Sequence, residues 1–485
     1  MFSSQGRRGA PIDKQTTDTR KQLLKSAFTQ TPLALALAAA VTLCFAQAAS
    51  AGEVRGFDHS AKTYDNATLV VGFDKDTSAA SGKASIAGAA GSVSAGGPRS
   101  AVVKVHKGES LKSAAKRIAK RKGVSWVKPN YIARTADNFI PNDPGAGGSG
   151  DWRRVQWNFV GEYGVNILPA WGHMRDIGKE GGAGAIVAII DTGVAYETKG
   201  RYRVSPDLAG VKIYKPYDFV DRDRHANDRN GHGTHVASTI FEQTNNGIAL
   251  TGMAYGASMM PLRALDKRGF GDEISVARAI RYAARNKADV INLSVEFDVR
   301  LNARDLPSII SAMRYARKRG SLIVAASGNQ QARKVAYPAR SNYALAVGAT
   351  TINGCLADYS DVGNGLDLVA PGGGADALVI DGRAGSSDRS NCRVNNPAAP
   401  ITQMTFRRSL TRFGLPGNYQ GTSMAAPHVS GAAALVVASG ILGPDPKPAA
   451  IADRLQRTAT DLGFPGYDTR YGWGIVNAGA AVTAP

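Results

Sequence analysis

Ser423 stands in Gly421-Thr422-Ser423-Met424-Ala425-Ala426-Pro427-His428, between a turn glycine and a small, apolar run that reads as a buried helix. A hydroxyl at a helix start meets unpaired amide hydrogens and the positive end of the helix dipole. A nucleophile that creates an oxyanion belongs there, although a simple N-cap serine gives the same local sequence. Pro427 fits the first turn of such a helix, where a missing N–H costs little. A serine hydroxyl needs a base beside it, and that base needs a carboxylate to fix its tautomer. Two other stretches offer them. Ala185 to Ile190 is an uncharged, β-branched run that reads as a central parallel strand, with Asp191 at its end and Gly193 in the turn after it. Catalytic groups of open α/β sheets collect at the carboxyl ends of strands. His232 sits between Gly231 and Gly233 at the head of a helical run. Asp191, His232 and Ser423 thus supply carboxylate, base and nucleophile in that order.

The elements that must position them are legible as a repeat of strands and helices. Asp289–Ser294 and Ser321–Asn329 read as further parallel strands, and Ile274–Asn286 and Pro307–Arg319 as helices between strand runs. Such alternation predicts an α/β fold, a mostly parallel sheet with helices on both faces. Three motifs now carry a resemblance: Asp191-Thr192-Gly193, His232-Gly233-Thr234-His235-Val236-Ala237, and Gly421-Thr422-Ser423-Met424-Ala425-Ala426-Pro427. The chain resembles the subtilisin-like serine proteases, the subtilases, and among them the secreted bacterial, thermitase-like ones. The likeness runs from about Asn142 to the C-terminus. The order Asp, His, Ser is that of subtilisin itself.

The resemblance implies a serine endopeptidase in which Asp191 orients, His232 is the base and Ser423 attacks. Asn329, after a strand and Gly328, matches the family's oxyanion asparagine, with the Ser423 N–H as second donor. His235 and His428 match packing histidines. Substrate would lie along Ser294-Val295-Glu296 and against Ala326-Ser327-Gly328. Glu296 stands where relatives have glycine, and Gln330 where many have glutamate, so the family's apolar cleavage preference is not carried over. Thr244-Asn245-Asn246-Gly247-Ile248-Ala249-Leu250 looks like a calcium loop. The resemblance implies a structural Ca²⁺ held by Asp143, Asp207, the Asn246 side chain and the carbonyls of Thr244, Ile248 and Leu250. Asp221–Asp228 is a weaker second candidate. An inactive subtilase scaffold and an esterase are the competing classes. Three intact motifs plus Asn329 speak against the first, and the missing second glycine of a Gly-x-Ser-x-Gly elbow against the second.

Residues 1–51 read as a signal peptide: a basic lead from Arg7 to Lys25, an apolar core over Pro32–Phe45, and the small-residue site Ala49-Ser50-Ala51. Leu43 before Cys44 argues against a lipid-attachment cysteine. Residues 52–136 resemble a subtilase propeptide, a small α+β domain acting as intramolecular inhibitor. Its strands are read at Ala67–Phe73, Ala101–Val105 and Val124–Tyr131, its helix at Leu111–Lys120, and Ser85–Gly97 as loop or disorder. Residues 137–485 are then the catalytic domain, with no further domain after it. The net charge of +20 divides into about +4, about +9 and about +7 over these three segments. Most of the excess falls in segments expected to be removed, and no basic patch is interleaved with aromatics, so nucleic acid is excluded as partner. Expected instead are a secreted monomer with no lasting membrane anchor, and protein or peptide substrates. Of three cysteines, Cys355 and Cys392 outlast processing. In an exported domain two cysteines favour one disulfide, with two free buried thiols as the alternative. The bridge would tether the irregular Gly372–Asn418 stretch.

Overall fold

The uncharged run ending at Asp191 forms the middle of the larger sheet of this computed structural model, which describes residues 51–57, 64–131, 139–146, 151–377, 392–394 and 396–483. The segment read as a signal peptide, Cys44 and most of the stretch around residues 378–391 lie outside the described residues.

The N-terminal part builds a five-stranded sheet. Its strands are β1 (Glu53–Val54), β2 (Tyr64–Phe73), β3 (Ser92–Ala95), β4 (Ser100–Lys104) and β5 (Val124–Tyr131), in the order β1-β5-β2-β4-β3. Helices α1 (Ala79–Ile86) and α2 (Leu111–Ile118) accompany them. Ser110 caps α2 by accepting from the Ser113 N–H at 3.2 Å. Leu69, Val71, Ile86, Ala101, Val103, Ala115, Ile118 and Val127 make a core of their own. The expectation of loop or disorder over Ser85–Gly97 is corrected here. Ser92–Ala95 pairs antiparallel with β4, and Ile86 and Ala89 are buried. A Gly/Ala/Ser segment shows no apolar period, yet its small side chains pack closely once β4 supplies the ladder.

The larger sheet has seven strands, all parallel: β6 (Ile186–Asp191), β7 (Tyr217–Asp218), β8 (Ser258–Arg263), β9 (Val290–Leu293), β10 (Leu322–Ala326), β11 (Ala344–Thr350) and β12 (Leu368–Pro371), in the order β12-β11-β10-β9-β6-β8-β7. The helices are α3 (Trp157–Val160), α4 (Ile167–Asp176), α5 (His232–Phe241), α6 (Glu273–Arg285), α7 (Pro307–Lys318), α8 (Thr422–Ser439), α9 (Pro448–Arg457) and α10 (Ala478–Thr483). Alternate strand residues face opposite layers. Val187 and Ile189 join α5 and α8 through Val236, Ile240, Val429 and Ala433. Ala188 and Ile190 join α6 and α7 through Val276, Ile280, Ile309 and Met313. Apolar residues on both faces explain why β6 reads as one continuous hydrophobic run. A short hairpin, β13 (Thr405–Ser409) with β14 (Arg412–Gly414), lies within the Gly372–Asn418 stretch. Cys355 and Cys392 are joined by a disulfide, with Cα atoms 5.6 Å apart.

Candidate active site

Asp191 ends β6 and is fully buried. Its Oδ1 accepts from the Thr192 N–H at 2.7 Å and lies 2.8 Å from His232 Nδ1. The histidine opens α5 only because Gly233 follows it: a Cβ at Gly233 would overlap the Gly193 carbonyl and sit 3.0 Å from Asp191 Cβ. A close approach of this kind excludes every other residue. Burial works against a charged His232 ring. The charge and hydrogen bond of Asp191, with Asp228 beyond, outweigh it and hold the ring's pKa above the ordinary histidine value.

Asp228 joins the two motifs, a role the sequence reading missed. Its Oδ1 accepts from Thr192 Oγ1 at 2.9 Å and from the Asn230 and Gly231 amides. Its Oδ2 accepts from the Thr234 N–H at 2.9 Å and from Thr234 Oγ1. Thr192 Oγ1 in turn accepts from the Gly233 N–H at 2.9 Å. The aspartate is consumed in holding two turns together. Asp218 and Asp221 are likewise bound to Arg263. Asp223, the remaining carboxylate of the Asp221–Asp228 region, accepts from the His225 N–H at 2.8 Å.

Ser423 is the second residue of α8, which begins at Thr422. Its N–H has no carbonyl four residues back within the helix and no other acceptor among the described residues. The hydroxyl donates to the Ser294 carbonyl at 3.3 Å, not to His232. Pro427 lies inside the helix rather than in its first turn, which corrects the sequence expectation. The ring removes the N–H that would bond the Ser423 carbonyl. Ser294 Oγ donates to that carbonyl instead, at 2.8 Å. A residue distant in sequence thus satisfies the acceptor, which is why a mid-helix proline is tolerated. His235 is buried against Ile401 O and stacked on Tyr419 at 4.0 Å. His428 is buried between Asn158 and the Met424 carbonyl.

Asn329 follows β10 and is exposed. Its Oδ1 accepts from the Thr422 N–H at 2.8 Å and Thr422 Oγ1 at 3.1 Å, so its amide nitrogen is turned away from α8. That Nδ2 meets Glu296 Oε2 at 3.5 Å, and the same oxygen accepts from the Asn329 backbone N–H at 2.6 Å. Glu296 therefore faces the β10 end, a point the sequence could not settle. Ser294, Ala326, Ser327 and Gly328 are buried around it, and Val295 is half-buried against the α6–α7 core.

The calcium candidates come together through one loop. Asp143 accepts from the Asn245, Asn246 and Gly247 amides, and Asp207 from Asn246 Nδ2 at 2.9 Å and the Leu250 N–H at 3.0 Å. Both carboxylates are buried, and neither is ion-paired among the described residues. Burial, with Asp143 nearby, pushes the Asp207 carboxyl up to about 7. Two neighbouring buried carboxylates without a cation are hard-oxygen donors that fit Ca²⁺, although Asn246 here turns its amide nitrogen to Asp207 and its oxygen to the Ile248 N–H. No cluster of three acidic, histidine or cysteine side chains supplements them among the described residues, so further ligands would be the Thr244, Ile248 and Leu250 carbonyls.

Comparison with known proteins agrees with this architecture. Residues 182–474, more than half of the chain, match the Subtilase family. The chain is 33% identical over 360 residues to the thermophilic serine proteinase of Bacillus sp. strain AK1, over 74% of this chain and 73% of that one. It is 35% identical over 300 residues to subtilisin Savinase of Lederbergia lenta, over 62% and 91% of the two chains. A solved protease of Pseudoalteromonas arctica PAMC 21717 shares the fold with a TM-score of 0.56 and 30% identity, over 71% of this chain and 99% of that one. The chain belongs to the subtilase family, whose members are subtilisin-like serine peptidases. Its own parallel sheet with helices on both faces is the fold expected of such an enzyme.

Proposed function

We propose that Asp191, His232 and Ser423 are the catalytic triad of a secreted endopeptidase made as an inactive precursor. The observation that carries this reading is the His232 Nδ1–Asp191 Oδ1 contact of 2.8 Å. It fixes the ring so that Nε2 is the free, basic nitrogen. In the reaction, rotation about the Ser423 side chain releases its hydroxyl from the Ser294 carbonyl. His232 Nε2 takes the hydroxyl proton as Oγ attacks the peptide carbonyl carbon. Asn329 Nδ2 and the Ser423 N–H receive the oxyanion. Collapse expels the amine, which takes the proton from His232, and water then hydrolyses the acyl-enzyme by the same steps reversed.

The separate core of the N-terminal sheet supports residues 52–136 as a propeptide domain that inhibits the enzyme until removed. Residues 1–51 direct export, and among the described residues no helix is long and apolar enough to cross a membrane. The product is a monomer acting on proteins and peptides. Asp143, Asp207, Asn246 and the carbonyls of Thr244, Ile248 and Leu250 would hold a structural Ca²⁺, which supplies charge neutralisation to the loop and takes no part in hydrolysis.

Purified Ser423→Ala precursor tests the reading. It should fold, fail to cleave peptide, ignore a fluorophosphonate probe, and remain uncut near residues 131–145. A mature-sized product from that variant, free of other proteases, would rule out self-processing; probe labelling of it would rule out Ser423.

A further inference from the structure

We propose that Glu296 and Asp361 together form an anionic subsite that takes a lysine or arginine side chain of the substrate, at the residue whose carbonyl Ser423 attacks. The proposal rests on Ser423 being the nucleophile. Strands β9 and β10 are neighbours in register, Leu293 beside Ala325. The segments that leave them, Ser294–Phe297 and Ser327–Asn329, therefore run side by side at the carboxyl end of the sheet. A peptide lying along Ser294–Glu296 as an added strand would place one side chain between these segments.

Two carboxylates converge there. Glu296 reaches across from the first segment to the Asn329 N–H. Asp361 comes from the connection between β11 and β12 and is fully buried. Its Oδ1 is engaged by the Gln330 N–H at 2.9 Å and the Ala332 N–H at 2.7 Å, whereas its Oδ2 is buried without any hydrogen-bond partner. Gly328 marks the meeting point. Its φ is +116°, and a Cβ on it would overlap Asp361 Oδ2, lie 2.9 Å from Glu296 Oε2 and 3.0 Å from Ala336 Cβ. Both acids thus touch the space that a side chain at position 328 would fill.

No lysine, arginine or histidine pairs with either acid among the described residues. Burial, opposed by its backbone hydrogen bonds and aided by Glu296, pushes the Asp361 carboxyl up to about 6. Such a pair accommodates a proton or a cation at low cost and an anion not at all. The walls beside it, Ala326 and Ala336, are apolar and buried, which suits the methylenes of a lysine or arginine stem. A guanidinium or ammonium would give Asp361 Oδ2 the donor it lacks and draw Glu296 away from Asn329 Nδ2. Arrival of a basic side chain would then also clear the position meant for the oxyanion.

The test uses the processed enzyme, with active sites counted by fluorophosphonate, on peptide nitroanilides that differ only in the residue before the scissile bond: lysine, arginine, leucine, phenylalanine or glutamate. The expected kcat/KM for lysine or arginine exceeds that for leucine by about tenfold or more, the scale of one charge-assisted hydrogen bond. Glu296→Gln and Asp361→Asn should each lower the lysine-to-leucine ratio several-fold, mainly through KM, and the double variant should abolish the preference. Benzamidine should compete with the lysine substrate in the wild type and lose affinity in Glu296→Gln. Glu296 is exposed, so that variant is informative even if Asp361→Asn fails to fold. An apolar preference, or a ratio unmoved by Glu296→Gln, would overturn the proposal and leave the two acids a proton-sharing structural pair. Absence of both fluorophosphonate labelling and turnover on every substrate would instead strike the assignment of Ser423, and this subsite with it.

Discussion

His232 meets two opposed influences, and their balance sets a measurable pH limb. In the proposed mechanism only its neutral ring can accept the Ser423 proton, and its pKa is held above the ordinary histidine value because Asp191 and Asp228 outweigh burial. A raised histidine pKa means that the charged, inactive form persists to higher pH. Activity should therefore rise with pH through a midpoint above 6.5. Asp191→Asn should move that midpoint down and lower kcat by orders of magnitude, about 10⁴-fold in the comparable trypsin-type case. A kcat/KM profile for wild type and variant would check this, and an unmoved midpoint would remove Asp191 from the account. At this scale the residues of the proposed triad stood out because each sits in a run whose turn or strand chemistry is local. Glu296 was visible as an oddity, but its direction was not, since the phase of a pleat depends on the neighbouring strand. Asp361 was not legible at all. It sits in a connection without a motif, and only the fold brings it to Gly328.

Elements add what residues alone do not. The strands and helices that flank the site were readable from apolar runs of the right period. The edge strand Ser92–Ala95 was not, because its stability lies in pairing with β4 rather than in its own side chains. The position of Pro427 within α8 was misjudged for a related reason: its compensation comes from Ser294, far away in sequence. Ser294→Ala should leave a part-buried carbonyl unpaired at the head of α8, costing about 1 kcal/mol of stability. Thermal unfolding would check it, and Ser294→Thr, which keeps the hydroxyl, should recover most of the loss. The same helices hold two buried neutral histidines, His235 with its pKa driven down to about 3 and His428 down to about 4 by burial. In the unfolded chain both titrate near 6.5, so there the unfolded state binds more protons. Their contribution is complete above about pH 6.5 and is lost as pH falls toward about 4 for His428 and about 3 for His235, on the order of several kcal/mol each. Urea melts across that window should show stability falling with acidity, and His428→Asn should flatten the slope.

At the scale of the whole molecule, the described residues form cores that share no side chains, one under the N-terminal sheet and two on either side of the seven-stranded sheet. The larger part depends on a loop, Thr244–Leu250, that folds around the buried acids Asp143 and Asp207. A cation that binds there only in the folded state stabilises by mass action. Chelating calcium should lower Tm by roughly 5 °C or more while changing turnover at low temperature little, since the loop is not part of the triad. Differential scanning calorimetry with and without chelator would show it, and an unchanged curve would remove the metal from the account. One feature near the centre has a wider reach. The carbonyl that Pro427 frees is held by the residue that begins the proposed substrate edge, and that residue's own carbonyl receives the Ser423 hydroxyl. The two halves of the cleft are therefore latched to each other at rest by two hydrogen bonds, one of which the proposed attack must release. Loosening one to suit a colder habitat, or stiffening it for a hotter one, would be felt in the other. Substitutions that tune this enzyme to temperature are therefore expected in loops that lie outside the latch.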